Sequence, residues 1–292
     1  MASLSETFGL RDRWFKMLFK VLPEKPALFD KANIEDAQYD LGGIGPRQVP
    51  AIQEWALGMS VIYKKDNLYY LTELGELFRK YDLTLSEFGT AWAMHYSLCI
   101  NSQDLKSKLW FYYHYSNTFA AGIFRRDDVK SALASATSSE SVLDKKIVGP
   151  LCETMREWSF AKSLGIGDFS DPKDFSRRAP SNDQLHPAIM AYMLYDWAHR
   201  NARPGVNIAE FFNYGGVARL LAMEEQQFCE YLQLIHDRYH KKVLWVSFTA
   251  GLNSVTFEKN IKPLALLEMY YLEFLSGMEP LDAFKTATET TV

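Results

Sequence analysis

The fold class follows from one stretch of the sequence, residues 41–74, which reads LGGIGPRQVPAIQEWALGMSVIYKKDNLYYLTEL. Its glycine-rich start is a tight break, and the apolar residues Ile52, Trp55 and Met59 then recur at helical spacing. Two short β-prone runs follow and flank the polar segment 64–67, which is the pattern of a hairpin. The stretch therefore predicts a turn, a helix and a two-stranded hairpin, in that order.

Helical patterns flank this stretch on both sides. Residues 10–21 carry one apolar stripe opposite a cationic face, and residues 33–41 have the pattern of a short second helix. After the hairpin, residues 72–78 begin with a capping threonine and continue as a helix. Three helices followed by a hairpin are typical of a winged helix-turn-helix, in which a helix enters the DNA major groove and the wing contacts phosphate. We predict such a module over residues 1–85.

The remainder of the chain is predicted to be mostly helical. Residues 86–164 are helical and rich in aromatic side chains, and the glycines and prolines of 165–185 predict a linker. Within 186–292 the order of helix, glycine turn, helix and hairpin recurs, with β-prone runs over 243–257. This predicts a second winged-helix-like module with a C-terminal helix. The fold class is therefore mainly α with small β-hairpins.

Composition excludes several classes of protein. The chain has 292 residues, with 32 basic against 36 acidic side chains and a net charge of −4, which excludes a generally basic nucleic-acid coat. Its three cysteines, Cys99, Cys152 and Cys229, are too widely spaced for a disulfide framework or a structural zinc site. With no signal-peptide pattern and no long apolar segment, we expect a cytoplasmic protein that does not enter a membrane.

Four segments of the sequence carry motifs of a known family. They are Ser5–Lys16, Leu41–Gly45 with the following Val49, Ile52 and Trp55, Leu71–Gly75, and Gly215–Leu220. These segments resemble the bacterial family known only as domain of unknown function 4007. The sequence differs from that family at Ser5, where the family often has His, at Gly9, where it has Pro, and at residues 46–48, where it tends to have Lys-Asn.

The resemblance implies a context for the protein. Members of the family have no established activity, and they tend to lie near genes for DNA phosphorothioate modification and phage defence. The resemblance therefore implies an association with DNA-modifying machinery, and it transfers no catalytic residue to this chain.

Candidate DNA contacts lie at the start of the predicted recognition helix and on the wing. Arg47 is suited to the O6 and N7 atoms of guanine, and Gln48 and Gln53 are suited to adenine. Lys64 and Lys65 would reach phosphate from the wing tip. Further candidate cations lie on the first helix and just before the second hairpin, namely Arg11, Arg13, Lys241 and Lys242.

Two functions remain open from these residues. The first is a non-enzymatic accessory protein of a phosphorothioation-type modification or phage-defence system, with double-stranded DNA and the proteins of that system as partners. The second is an adaptor whose winged helices bind partner proteins without contacting DNA. Residues 1–82 hold 11 basic and 12 acidic side chains, and Glu54 on the recognition helix would repel phosphate, so charge alone does not choose between them.

Other motifs favour structural interpretations. His236 and His240 have the spacing of a metal pair, but they lack a third ligand and lie where a helix ends in basic residues. The aromatic run 110–115 is more typical of a core than of a platform for stacked bases. The acid-x-Lys segments 104–106 and 128–130 are predicted to be exposed charges on helical stretches. With no catalytic or cofactor motif in the sequence, we expect neither enzymatic activity nor a cofactor.

Overall fold

The protein is described by a computed structural model, which covers residues 8–104, 107–136, 147–249 and 252–289. Contacts divide the chain into two units, Met1–Arg178 (unit 1) and Ala179–Val292 (unit 2). The division falls inside the segment 165–185, for which the sequence predicts a linker.

The described residues of unit 1 form nine α-helices and two pairs of antiparallel strands. The helices are α1 (Asp12–Val21), α2 (Ile34–Asp40), α3 (Gln48–Gly58), α4 (Glu73–Tyr81), α5 (Phe88–Asn101), α6 (Trp110–Thr118), α7 (Arg126–Ser135), α8 (Gly149–Glu157) and α9 (Ser159–Ser163). The strands are β1 (Ile62–Lys65) with β2 (Leu68–Leu71), and β3 (Gly122–Arg125) with β4 (Asp174–Arg177). A single 3₁₀ turn, Lys31–Asn33, precedes α2.

Trp55 anchors α3 in the core of unit 1. Its ring is fully buried and meets the rings of Phe111 and Tyr112 edge-on, with 6.3 Å between centroids in each pair. Ile52 and Met59, about one turn to either side, are also fully buried. The apolar stripe predicted for this helix is therefore confirmed.

The hairpin predicted after α3 is confirmed as β1 and β2. Asp66 and Asn67 occupy its two-residue turn with φ of 51° and 63°, a left-handed conformation that Asp and Asn tolerate better than most residues. The Thr72 hydroxyl donates to the carbonyl of Ser60 at 2.6 Å and accepts from the backbone N–H of Gly75 at 3.1 Å. Thr72 thus joins the end of the hairpin to the start of α4, which it caps as predicted.

Helices α5 and α6 lie at the centre of unit 1. Every residue of α5 from Gly89 to Ile100 is buried. The aromatic residues of α6 are at most 7% exposed; they are Trp110, Phe111, Tyr112, Tyr113 and Tyr115. The interpretation of this aromatic run as core is confirmed.

The segment 165–185 contains a strand where the sequence predicts a loop. In β4, Phe175 is fully buried, and Arg177 is only 5% exposed. The guanidinium of Arg177 donates to the carbonyls of Ser116 and Phe119, at 2.6 Å in both cases. Four residues of alternating burial are too short a signal to stand out among the surrounding glycines and prolines, so the strand was missed.

The described residues of unit 2 form five α-helices and one three-stranded antiparallel sheet. The helices are α10 (Pro187–Arg200), α11 (Val217–Leu220), α12 (Glu225–Arg238), α13 (Pro263–Ser276) and α14 (Pro280–Glu289). The sheet order is β5 (Gly205–Asn207), β7 (Leu252–Phe257) and β6 (Leu244–Thr249), and a 3₁₀ helix, Ile208–Phe212, follows β5.

The predicted hairpin of unit 2 is confirmed as β6 and β7, which pair from Leu244 with Phe257 to Thr249 with Leu252. The third strand, β5, was not predicted because three residues are too few to show a periodic pattern. The chain is mostly helical with small antiparallel sheets, as the predicted fold class requires. Among the described helices, none has the length and apolar character needed to cross a membrane.

Candidate nucleic-acid interface

The β1–β2 hairpin presents two lysines to solvent. Lys64 and Lys65 end β1 directly before the tight turn, and both side chains are exposed. The Lys64 ammonium lies 5.7 Å from the centre of the Tyr69 ring on the neighbouring strand. The structure therefore places the predicted wing cations at the tip of a hairpin, where they can meet a polyanion.

The first turn of α3 presents Arg47 and Gln48. Arg47 is exposed and immediately precedes the helix, and Gln48 is its first residue and is half-buried. The Gln48 Oε1 atom is buried and has no hydrogen-bond partner within the described part of the chain. Glu54, which the sequence suggested would repel phosphate, forms an ion pair with Lys108. That ion pair reduces the repulsion expected from α3.

Gln53 connects the helix to the hairpin. Its Nε2 donates to the Tyr69 hydroxyl at 2.5 Å, so the amide that was predicted to read adenine is used inside the protein. This role was missed because the sequence does not reveal which strand residue lies opposite a helix residue 16 positions earlier. The bond fixes the position of the hairpin relative to α3.

A cavity of about 530 Å³ lies between the 3₁₀ turn, α3 and the hairpin. It is lined by Phe29, Asp30, Lys31, Ile34, Val49, Pro50, Gln53, Lys64, Asn67 and Tyr69. Lys31 and Lys64 are its two cationic residues. The carboxylate of Asp30 accepts a hydrogen bond from the backbone of Ala32 at 3.0 Å, so it is turned onto its own loop. The cavity thus has one lysine from the 3₁₀ turn and one from the hairpin in its lining.

The predicted cations of α1 differ from one another. Arg11 forms an ion pair with Glu153 on α8, which also accepts from the backbone N–H of Gly9 at 3.0 Å. Arg13 is exposed and, with Lys16, lines a separate cavity of about 390 Å³. Arg11 therefore holds the start of the chain to α8, and Arg13 is the more accessible candidate for an anion.

Lys241 and Lys242 belong to unit 2. Both are exposed and follow the end of α12, and the Lys241 ammonium lies 4.3 Å from the centre of the Trp245 ring. Trp245 is half exposed on β6. The predicted candidate cations are thus distributed over both units.

At least one of the two histidines, His236, has a structural role. The His236 Nδ1 accepts from the backbone N–H of Val246 at 3.2 Å, and its ring packs edge-on against Trp245. Helix α12 ends at Arg238, which confirms the interpretation of this basic run as a helix end. Within the described ranges, no group of three or more His, Cys, Asp or Glu side chains is placed to hold a metal ion.

The acid-x-Lys segment that the structure describes in full lies on a helix and not on a strand. Residues 128–130 lie in α7, where the Asp128 carboxylate accepts from the backbone N–H of Arg125 at 3.1 Å. Residues 105 and 106 of the other segment lie outside the described residues.

Burial favours the neutral form of the Cys99 thiol, one of two buried thiols in unit 1. Cys99 lies 4.0 Å from His95 Nε2, and His95 Nδ1 lies 2.9 Å from the Tyr112 hydroxyl. Burial raises the pKa of the Cys99 thiol to about 12, and burial also raises the pKa of Tyr112 well above its ordinary value. Since a thiolate is the reactive form of cysteine, this cluster is core and not a nucleophile.

Comparisons with known proteins concern the family and the fold. A sequence model of the family described as "Protein of unknown function (DUF4007)" matches residues 3–148 and 159–271. The structure titled "Magnesium ion-bound SspB crystal structure" has a TM-score of 0.72 and 17% identity, covering 99% of this chain and 97% of that one. "SspB crystal structure" has a TM-score of 0.68 and 18% identity, with coverages of 99% and 87%. No curated protein matches. At such low identities these likenesses concern the fold alone.

Proposed function

Because the chain belongs to the family described as Protein of unknown function (DUF4007), we propose that it is a cytoplasmic, non-enzymatic accessory protein that contacts DNA in a phosphorothioation-type modification or phage-defence system. The observation that carries the proposal is that the first turn of α3, at Val49 and Pro50, and the tip of the β1–β2 hairpin, at Lys64 and Asn67, line the same cavity. Its context comes from the family resemblance, and the likeness in fold to SspB supports it.

The geometry supports a winged-helix mode of contact. Three helices precede the hairpin, and the third, α3, begins with an exposed arginine. In this mode the start of the recognition helix meets base edges and the wing tip meets phosphate. Arg47 would supply base contact, and Lys64 and Lys65 would supply phosphate contact. Gln53 positions the wing in this arrangement.

The number of cations limits the strength of the contact. Two phosphate contacts give a salt slope of about −1.8, which corresponds to about a 12-fold loss of affinity between 50 and 200 mM salt. Residues 1–82 hold 11 basic and 12 acidic side chains, so the rest of the module adds little attraction. Binding of duplex DNA by the protein alone is therefore expected to be weak and salt-sensitive.

The direct test removes the three cations. In a variant with Arg47→Ala, Lys64→Ala and Lys65→Ala, we expect weaker duplex binding and a salt slope smaller by about 0.9 for each phosphate that is no longer neutralised, with unchanged thermal stability. A matched control removes three exposed cations elsewhere in unit 1, Arg79, Arg156 and Lys173. Equal weakening in the two variants, or unchanged binding in the first, would contradict a DNA interface at α3 and the hairpin.

The adaptor function remains the second candidate, favoured by the near-neutral charge of the N-terminal module. A complex with nearby-encoded proteins would supply the attraction to DNA that this module lacks. We expect affinity purification at native expression level, after nuclease treatment, to recover stoichiometric protein partners. Recovery of the protein alone, together with nanomolar binding to a defined duplex, would indicate a self-sufficient DNA-binding protein instead.

A further inference from the structure

A further cavity lies wholly within unit 2, at the C-terminal end of α10. It has a volume of about 460 Å³, and we call it the α10 cavity. It is lined by Tyr195, Ala198, His199, Ala202, Arg203, Pro204, Phe257, Glu258, Lys259, Asn260 and Ile261. Its volume falls within the range of small-molecule sites. None of the candidate DNA contacts from the sequence lines it.

One face of α10 and its extension forms a wall of the cavity. Tyr195, Ala198 and His199 follow the spacing i, i+3 and i+4, which places them on the same face of α10, and Ala202 follows just after the helix ends. The two alanines leave room where larger residues would fill the space. The ring of Tyr195 packs edge-on against that of Phe257, with 5.1 Å between centroids, so the cavity has an aromatic wall.

The loops around the α10 cavity are fixed in unusual backbone conformations. Ala202 has a φ of 51° and Asn260 has a φ of 69°, both in the left-handed region. Ala202 takes this conformation because the backbone N–H of Arg203 donates to the carbonyl of Ala198 at 2.9 Å, which ends α10 in a tight cap. These turns fix the backbone of two residues that line the cavity.

Tyr195 also holds the facing loop. Its hydroxyl accepts from the backbone N–H of Glu258 at 2.9 Å and donates to the carbonyl of Val243. The Glu258 carboxylate accepts from the backbone N–H of Lys259 at 3.2 Å, so this hydrogen bond lies within its own loop. The site is therefore pre-formed, because the aromatic wall and the loop that carries Lys259 are held by the same side chain.

The rim of the cavity carries two cations and one carboxylate. Arg203, Lys259 and Glu258 line it, and all three side chains are exposed. The guanidinium of Arg203 lies 3.5 Å from the Glu210 carboxylate, and its side chain remains 54% exposed. An arginine in an ion pair this exposed can turn from its carboxylate partner to an incoming anion.

We propose that the α10 cavity binds a nucleoside phosphate. The base would pack against the aromatic wall of Tyr195 and Phe257, and the phosphate would meet Arg203 and Lys259 at the rim. Two sources supply this chemistry: a free mononucleotide, and the 5′-phosphorylated end of a nucleic-acid strand. The proposal is independent of DNA contact by unit 1, because the residues involved are different.

The test measures binding of adenosine monophosphate, adenosine and a short single-stranded oligonucleotide with and without a 5′ phosphate, by calorimetry on the full chain. We expect saturable binding of the phosphorylated probes. The affinity for their unphosphorylated forms should be lower by about tenfold or more. Tighter binding of the phosphorylated oligonucleotide identifies a strand end as the source. Tighter binding of the mononucleotide identifies the free nucleotide.

Two matched variants decide whether the site is the α10 cavity. Arg203→Gln should weaken binding of the phosphorylated probes by about tenfold or more, because it removes one charged hydrogen-bond donor from an exposed position. Lys285→Gln removes one exposed cation elsewhere in unit 2, on α14, and should leave binding unchanged. Equal weakening in both variants, equal binding of phosphate and nucleoside forms, or no saturation of any probe at millimolar concentration would overturn the proposal.

Discussion

The two hairpins of the molecule share a local sequence pattern but are held in different ways. The β1–β2 hairpin has two strands and is tied to its surroundings by Gln53, by Thr72 and by a bond from the Tyr69 backbone N–H to the carbonyl of Pro26 at 2.8 Å. The β6–β7 hairpin gains a third strand, β5, along β7. Because an isolated two-stranded hairpin is marginal in water, the first depends on a few side chains and the second on a main-chain ladder.

This difference bears on function. A hairpin fixed by a few contacts on β2 and at Thr72 still presents Lys64 and Lys65 to solvent. On β6, the exposed Trp245 is covered on one side by Lys241. If these different contacts determine local stability, the two units should differ in their response to substitution and to pH. They should also differ in their rates of hydrogen exchange.

The largest effect is expected from Trp55→Ala in unit 1. Removing a fully buried ring, which also donates to the carbonyl of Phe8 at 3.1 Å, should cost about 3 to 5 kcal/mol of unfolding free energy. Hydrogen exchange resolved by peptide should show the loss in unit 1, whereas Tyr39→Ala, at an 84% exposed ring, should change little. Equal loss of protection over β5 to β7 would show that the two units unfold together.

The next effect is a pH dependence in unit 2. Burial, with help from the charge of Arg238, lowers the pKa of His186 to about 4, below its unfolded value of about 6.5. Because the unfolded chain then binds a proton that the folded chain does not, stability should fall as the pH drops from about 6.5 to 4, by about 1 to 3 kcal/mol.

A matched variant isolates that histidine. The Nδ1 of His186 caps α10 by accepting from the backbone N–H of Ala188 at 3.2 Å. His186→Asn keeps a good capping residue and removes the titrating ring, so the acid-side loss should shrink in denaturant titrations across this pH range. An unchanged pH profile in His186→Asn would assign the loss to other groups.

A smaller effect is expected where the first hairpin meets α3. Tyr69→Phe removes the acceptor of the Gln53 amide and should cost about 1 kcal/mol, with faster hydrogen exchange in β1 and β2. Tyr63→Phe, at an exposed ring on the same hairpin, is the control. If both variants exchange alike, the Gln53 bond does not hold the hairpin.

The smallest effect is a gain. Ala202→Gly relieves a left-handed φ of 51° at the end of α10, and the relief exceeds the entropy that glycine adds to the unfolded chain. We expect about 0.5 to 1 kcal/mol of stabilisation, which corresponds to a rise in Tm of about 1 to 4 °C. A lower Tm would mean that the methyl group of Ala202 contributes more by packing than its conformation costs.

The elements that could be predicted are those whose sequence pattern repeats over neighbouring residues. Apolar spacing revealed α3, and paired β-prone runs revealed both hairpins, because these patterns depend on neighbouring residues. Strand β4 and the Gln53 bond to Tyr69 depend on partners that are distant in sequence or invisible to periodicity. The α10 cavity was also not predicted. The spacing of Tyr195, Ala198 and Ala202 in the sequence is only a weak indication of it.

The buried Arg177 has a consequence for how the protein is made. The carbonyls of Ser116 and Phe119 leave the ribosome about 60 residues before the guanidinium that satisfies them. Since domains tend to fold as they emerge, the end of α6 must wait for β4 during translation. A nascent chain released at residue 164 would lack this donor and expose those carbonyls. The hydrogen bonding at the end of α6 is therefore completed only after the last residues of unit 1 have been synthesised.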